Sequence, residues 1–307
     1  LFLVPLDDLG EWYRYHQLFA EVLQYRLRRS QPALLPVLHR RAAAWFAEQG
    51  DMPDAIRHAL LATDYAGAAV LIDQLWPLLW NQGAIATLFN WMQVLPAASE
   101  QDEALWGRPN LYVSYAWGLA LTGQIERAEA LRFQVASILQ RADADAVQSP
   151  VHMTLLGRVA ALRAMVAARH GNTVAAVLKA KQALALIPVD AMSRNDAFYT
   201  LGLARQQEGA LDEALLAYAT AAKSGEATND SFQAIAAHYH AGRVLTAQGH
   251  LHRAAATYQQ ILPMATQSRK QLPIVGLAHI GYGEILYQWN DLAAAVRQVD
   301  TGLALNP

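Results

Sequence analysis

Two apolar patterns divide this chain. Near its start, "LFLVPLD" and "EWYRYH" alternate in the manner of two strands, with Asp8-Leu9-Gly10 between them as a turn signal, so a short β-hairpin is predicted. From about residue 16 onward the apolar positions follow a helical period instead. Trp12, Tyr13, Tyr15 and Phe19 crowd the junction, which runs on into a basic helix, "AEVLQYRLRR". Residues 37–62 read as two helices broken at Gly50-Asp51, with Pro53 at a helix start. The next stretch, "TDYAGAAVLIDQLWPLLWNQGAIATLFNWMQVLP", ends at Pro96 and reads as two further helix pairs. Trp45, Trp76, Trp80 and Trp91 fall at helical spacing and are expected in the core, and Trp12 and Tyr15 are expected to pack on the hairpin.

A short signature then repeats. "GQIERA", "GNTVAA", "GALDEA", "GHLHRA" and "NDLAAA" each carry Gly or Asn followed five residues later by Ala. The turn residues at 123, 171, 209, 249 and 290 are spaced 48, 38, 40 and 41 apart. Gly or Asn suits a tight turn that needs positive φ. The Ala is small enough to let two helices approach closely. The unit is an antiparallel helix hairpin, stacked in series, with Ala128, Ala176, Ala214, Ala254 and Ala295 at the crossings. The long step contains "RADADAVQSP", residues 141–150, polar and read as a loop. Asp143 and Asp145 alternate there, but the glycine and distal Glu of a calcium loop are missing, so no metal is expected.

Composition narrows the function. Lys+Arg number 24 against 26 Asp+Glu, a net charge of −2, which leaves no general nucleic-acid footprint. Arg26, Arg28, Arg29, Arg40 and Arg41 form a local basic cluster, read as a solvated helix face or an interface with another part of the protein. There is no cysteine, which removes disulfides, thiolate nucleophiles and Cys-based zinc sites and suits a reducing compartment. Asp73, Arg158 and Arg163 interrupt the longest apolar runs before they reach the ~18 residues of a membrane helix. No Gly-Lys pair exists for a phosphate-binding loop, and neither HExxH nor GxSxG occurs. "GYGEIL" begins like a dinucleotide fingerprint at Gly281 and Gly283, but Leu286 stands in place of the third glycine. His238, His240, His250 and His252 cluster, yet the first two point to different helix faces and the others flank a turn, so ordinary polar roles are expected. No constellation supports catalysis, no cofactor is expected, and an enzyme is the least favoured reading.

The unit resembles a tetratricopeptide repeat (TPR). That family places a small residue seven before the turn Gly, Ala five after, an aromatic nine after, Ala twelve after and often Pro seventeen after. Here Gly202, Ala214, Tyr218 and Ala221 fit around Gly209, and Gly242, Ala254 and Tyr258 fit around Gly249, with Ile261 at the next place. Gly283, Ala295 and Pro307 fit around Asn290, and Ala164, Ala176, Ala183 and Pro188 around Gly171. The Gly123 unit keeps Ala116 and Ala128. Further, "LFLVPLDD…EWYRYHQLFAEVL", "LHRRAAAWFAEQGDMPDAIRHALLATDYAGAAVLI" and "LFNWMQVLP", in that order, resemble the maltose-activator-like (MalT-like) LuxR-type regulators of the STAND ATPase class.

The resemblance implies an all-α fold, a right-handed superhelix of hairpins with one short N-terminal β-hairpin. It implies the end of a winged-helix domain at 1–15, a helical connector at 16–96 and TPR-like repeats at 97–307. It also implies that a nucleotide-binding part lies upstream and a DNA-binding part downstream, in a cytoplasmic protein. Groove positions in TPR proteins lie thirteen, ten, six, three and two residues before the turn Gly. Carried over, they point to Asn110, Trp117, Arg158, Arg169, Tyr199, Gln206, Tyr239, Arg243, Glu284, Tyr287 and Gln288 as ligand-binding candidates. Aromatic, guanidinium and amide groups interleave there, as a polar organic inducer or a peptide requires. The alternative reading is an interaction module that binds a peptide or inhibitory protein without sensing a small molecule.

Overall fold

A computed structural model describes residues 2–5, 13–82, 84–95, 108–140, 149–189, 191–267 and 273–305. Two strands, β1 (Leu3–Pro5) and β2 (Tyr13–Tyr15), pair antiparallel with Leu3 opposite Tyr15. The predicted hairpin is therefore present; its turn Asp8-Leu9-Gly10 and Trp12 lie outside the described residues. Two strands alone bury little. What holds them is the next element: Phe2 stacks on Phe19 at 4.4 Å, Tyr15 meets the same ring edge-on at 5.5 Å, and the His16 amide donates to the Phe2 carbonyl at 2.7 Å.

Fifteen helices follow among the described residues. They are α1 (Gln17–Ser30), α2 (Leu34–Glu48), α3 (Met52–Leu61), α4 (Tyr65–Asn81), α5 (Ile85–Val94), α6 (Pro109–Leu121), α7 (Ile125–Gln140) and α8 (Pro150–Arg169). After these come α9 (Thr173–Leu186), α10 (Arg194–Gln207), α11 (Leu211–Ala227), α12 (Ser231–Ala247), α13 (Leu251–Gln267), α14 (Pro273–Gln288) and α15 (Leu292–Leu305). The chain divides into two compact units, residues 1–74 with 94–105 and residues 75–93 with 106–307.

In the first unit α2 packs on α3 across the Gly50 turn, and Asp51 caps α3 by accepting from the Asp54 amide. His39 and His58 meet between them, Nδ1 to Nδ1 at 2.9 Å. Burial lowers the pKa of both rings, and Arg57 lowers both further. α1 buries no residue at all.

Two expectations need correction. The described residues of 63–96 hold two helices, α4 and α5, and not two pairs: Pro77 sits inside α4 without ending it. A proline there removes one helical hydrogen bond. The buried stripe of Ala68, Ile72, Trp76, Leu79 and Trp80 runs through the proline and outweighs the loss. Trp45 is 41% exposed and so is not core, whereas Trp76 and Trp80 are buried; its indole lies edge-on to Phe46 at 5.0 Å.

In the second unit α6–α7, α8–α9, α10–α11, α12–α13 and α14–α15 form five hairpins in series. One turn design recurs. The described non-glycine residues with positive φ are Thr63, Asn229 and Asn290, and the glycines are Gly50, Gly123, Gly171, Gly209 and Gly249. Each is followed five residues later by a buried alanine, respectively Ala68, Ala234, Ala295, Ala55, Ala128, Ala176, Ala214 and Ala254. The residue after the turn does two jobs. Its amide closes the earlier helix, as from Ala210 to the Arg205 carbonyl at 2.9 Å. Its carbonyl opens the next helix by accepting from the alanine amide, as Ala210 does from Ala214 at 3.0 Å. The pattern is a Schellman cap running straight into a new helix.

Small residues set the spacing of the layers. A Cβ on Gly202 would fall 2.7 Å from the Tyr218 ring, and one on Gly242 would fall 2.6 Å from Tyr258. The TPR-type pairing of small residue and aromatic is thus a direct contact. The loop predicted at 141–150 lies mostly outside the described residues, with Asp143 and Asp145. Pro150 itself starts α8, whose first turn Ser149 caps by accepting from the His152 amide. Pro96 and Pro307 also lie outside.

Candidate ligand-binding groove

The first helices of successive hairpins touch one another: α6 with α8, α8 with α10, α10 with α12 and α12 with α14. They form an inner row, and the candidate residues all sit on it. α8 is also the one helix among the described residues long and apolar enough to cross a membrane, and 61% of that apolar window is buried inside the protein.

At one end of the row the polar groups hold each other. Arg158 Nη1 donates to Asn110 Oδ1 and Nη2 donates to Ser114 Oγ, both at 2.7 Å. One repeat further on, the Asp196 carboxyl finds no hydrogen bond or ion pair among the described residues. Burial, then the Asp230 charge, raises its pKa well above the usual carboxylate range, with Arg158 opposing. Asn195 Nδ2 donates to Asp230 Oδ2 at 3.2 Å and to Thr228 Oγ1 at 3.1 Å. Burial raises the Asp230 pKa too.

The middle of the row is aromatic. Tyr199 is buried, and its Oη lies 2.9 Å from His240 Nε2. The His240 ring stacks on Tyr218 at 5.5 Å and meets Tyr239 edge-on at 5.3 Å. Tyr218 Oη donates to Gln206 Oε1 at 2.9 Å. Burial, then Arg243 and Arg169, push the His240 pKa down to about 4. Burial pushes Tyr199 up to about 12. His240 Nδ1 is buried without a hydrogen-bond partner among the described residues, as is Trp117 Nε1.

The candidates therefore fall into three groups. Trp117 and Tyr199 are buried floor, not open lining, because the inner helices pack too closely there for a large ring to stay exposed. Asn110, Arg158 and Gln206 are committed to contacts within the fold. Tyr239 is half-buried, and Arg169, Arg243, Glu284, Tyr287 and Gln288 are exposed. Arg169 Nη2 donates only to the Leu121 carbonyl, at 3.3 Å. Glu284 and Tyr287 line a separate hollow of about 480 Å³ with Ile280, Gly283, Val296 and Val299, half of it supplied by the second helix α15.

Sequence reasoning missed Ser114, Asp196 and His240. Asp196 stands thirteen residues before Gly209, so the groove register already contained it. His240 had no such signal: only tertiary packing sets it among three tyrosines. The other histidines have ordinary roles, His238 beside Glu226 Oε1 at 2.9 Å and His252 on the Trp289 ring at 4.9 Å. Among the described residues no group of three or more His, Asp or Glu is placed to hold a metal.

Comparison with known proteins bears on the fold and the family. Residues 157–307 match the MalT-like TPR region and residues 1–35 the MalT winged helix domain. The serine/threonine-protein kinase PknK of Mycobacterium tuberculosis (strain CDC 1551 / Oshkosh) is 38% identical over 136 residues, 42% of this chain and 12% of that protein's length. Among solved structures, BtubC (BKLC) from P. vanneervenii aligns with a TM-score of 0.51 at 14% identity, covering 79% of this chain and 90% of its own. A Rap protein complexed with Competence and Sporulation Factor aligns with a TM-score of 0.52 at 12% identity, covering 84% and 77%. At such identities these two share the fold of stacked helical hairpins and nothing more. The two family matches, in the order winged helix then TPR region, make this chain MalT-like.

Proposed function

We propose that this chain is the sensor and scaffold segment of a MalT-like transcription regulator. Its inner row of first helices takes an inducer or regulatory partner and so controls separate ATPase and DNA-binding parts. One observation carries this reading: on a chain that matches the MalT-like TPR region, guanidinium, tyrosine and amide side chains line consecutive inner helices in a single compact unit. Control requires that the ligand bind one state of the protein better than the other. A thermal-shift screen of this chain against a metabolite library is the test. A ligand at a hundred times its Kd adds about 2.7 kcal/mol to stability. Stabilisation by a small metabolite supports the sensor; stabilisation by no metabolite overturns it.

A second reading, a module that binds a peptide or protein, uses the same exposed guanidinium, tyrosine and amide groups of the inner row. Binding of polypeptides only, with no small molecule, selects it. On either reading the chain does no chemistry. ATP hydrolysis needs backbone amides around the phosphates and a lysine among them, and DNA affinity leans on phosphate neutralisation that falls with salt. An ATPase assay and a gel-shift assay on duplex DNA at physiological salt, both on this chain, are expected to be blank. Turnover that survives further purification, or sequence-dependent retardation at that salt, overturns this; the Arg26–Arg41 cluster is where the retardation would arise.

A further inference from the structure

We propose that the inner row holds a site for a compact organic anion, a carboxylate or phosphate ester with a flat or ring-shaped body, gripped by Arg169 and Arg243 beside the Tyr199–His240–Tyr239 cluster. This rests on the reading of the inner row as a ligand groove and names the class of ligand.

Four observations carry it. First, Arg243 follows Tyr239 by four residues and His240 by three on α12, so its guanidinium rises from the same helix face as the aromatic cluster. It makes no hydrogen bond or ion pair among the described residues, and Arg169 bonds only one carbonyl. Both lie within electrostatic reach of the His240 ring. Two guanidiniums that both act on one ring favour an anion bound beside that ring, and carboxylate and phosphate match their fork geometry. Second, the titrating groups around His240 do not cancel this charge. Burial holds Asp196, one turn before Tyr199, toward its neutral acid form, and His240 stays neutral. Glu284, on the next inner helix, lies with Arg243 within electrostatic reach of Tyr258, so it offsets at most one of the two guanidiniums and leaves Arg169 for an anion. Third, His240 Nδ1 is a buried polar atom with no hydrogen-bond partner among the described residues, at the centre of the cluster. Half-buried Tyr239 offers a ring face to a ring-shaped body, above the buried rings of Tyr199 and Tyr218.

The fourth observation sets the size of the ligand. Trp80 packs near Gly118 of α6 and meets Phe232 at the start of α12 edge-on at 5.1 Å. Asn81 Nδ2 donates to the Asn229 carbonyl at 2.9 Å, across 148 residues. The first and fourth inner helices are thus tied together at one mouth of the row. Side chains of α4 take up space at that end of the row, which favours a compact ligand over an extended polypeptide.

The test titrates the chain with phenyl phosphate, benzoate and the neutral benzamide, read by thermal shift and by NMR of the His240 ring. The metabolite library is screened in separate anionic and neutral pools. Arg169→Gln, Arg243→Gln and the control Arg163→Gln are compared. Stabilisation by the anionic probes or pool is expected. It should weaken at least tenfold in Arg169→Gln and in Arg243→Gln, persist in Arg163→Gln and fall with salt. The His240 ring should become easier to protonate when an anion is bound, because the anion offsets the two guanidiniums. Stabilisation by neutral compounds, unchanged in both arginine variants, overturns the anion site and leaves the groove reading intact. Stabilisation by polypeptides alone, or by nothing, overturns both.

Discussion

Ala214 and Ala254 are fully buried where the two helices of a hairpin cross. There is no space for a larger side chain, so Ala214→Leu or Ala254→Leu should each cost about 1–3 kcal/mol in overpacking. Ala219→Leu, on the exposed face of α11, serves as the control and should leave the melting temperature within a degree or so. Unchanged melting in all three would mean that the repeat register is misplaced. His240 gives a second prediction at this scale, with a definite sign. The unfolded chain takes up a proton near pH 6.5, while the folded chain resists protonation down to about 4. Its contribution to stability therefore shrinks as pH falls from 6.5 toward 4. Asp196 and Asp230 act in the opposite sense, because their folded pKa values are raised and their contribution shrinks as pH rises above the unfolded value of 3.8. Urea unfolding at pH 7 and pH 5 should show a smaller stability loss in His240→Gln than in the parent chain. Parallel losses in the two proteins would place the imidazole in water.

At the scale of the element, the turn and the helix start are one device. Gly209 has φ of +79°, and Asn290 has φ of +61°. Alanine in the left-handed region is strained, so Gly209→Ala should lose about 1 kcal/mol. Asn290→Gly should be neutral or mildly stabilising, since glycine accepts the same backbone without a Cβ. Differential scanning calorimetry of both variants checks the pair; equal losses would mean that side chains, not backbone, set the turn. Much of this was legible in advance, because a turn needing positive φ selects Gly or Asn and a tight crossing selects Ala. The turns at Thr63 and Asn229 were not, although each has its alanine five residues on. Thr63 is a β-branched residue that rarely takes positive φ, and Asn229 joins two hairpins instead of the two helices of one. Pro77 misled in the other direction: the local preference for a break lost to a stripe of buried side chains on both sides of it.

At the scale of the molecule, the contact that joins distant parts of the second unit is the pairing of Trp80 and Asn81 with Phe232 and Asn229. Trp80→Ala should cost roughly 3–5 kcal/mol, as expected for a buried indole. It should also speed hydrogen exchange selectively in the first turn of α12, which the tie holds; uniform exchange along α12 would mean that the indole serves only its own helix. The sequence by itself determined the class of fold, the number and register of the repeats and the absence of a phosphate-binding loop. Those depend on local rules: period, turn chemistry and the size of the residue at a crossing. It also put the inner-row candidates on the first helices of their hairpins, since a repeat of constant period carries a face from one hairpin to the next. Tertiary structure alone decided which candidates remain available to a ligand. Arg158 is occupied by Asn110 and Ser114 of the preceding hairpin, Tyr199 is buried against His240 of the next, and Arg243 is left without a hydrogen-bond or ion-pair partner among the described residues. Each outcome depends on side chains some forty residues apart. Periodicity carries the direction of a side chain, but only the packed distance between helices decides whether it meets a partner.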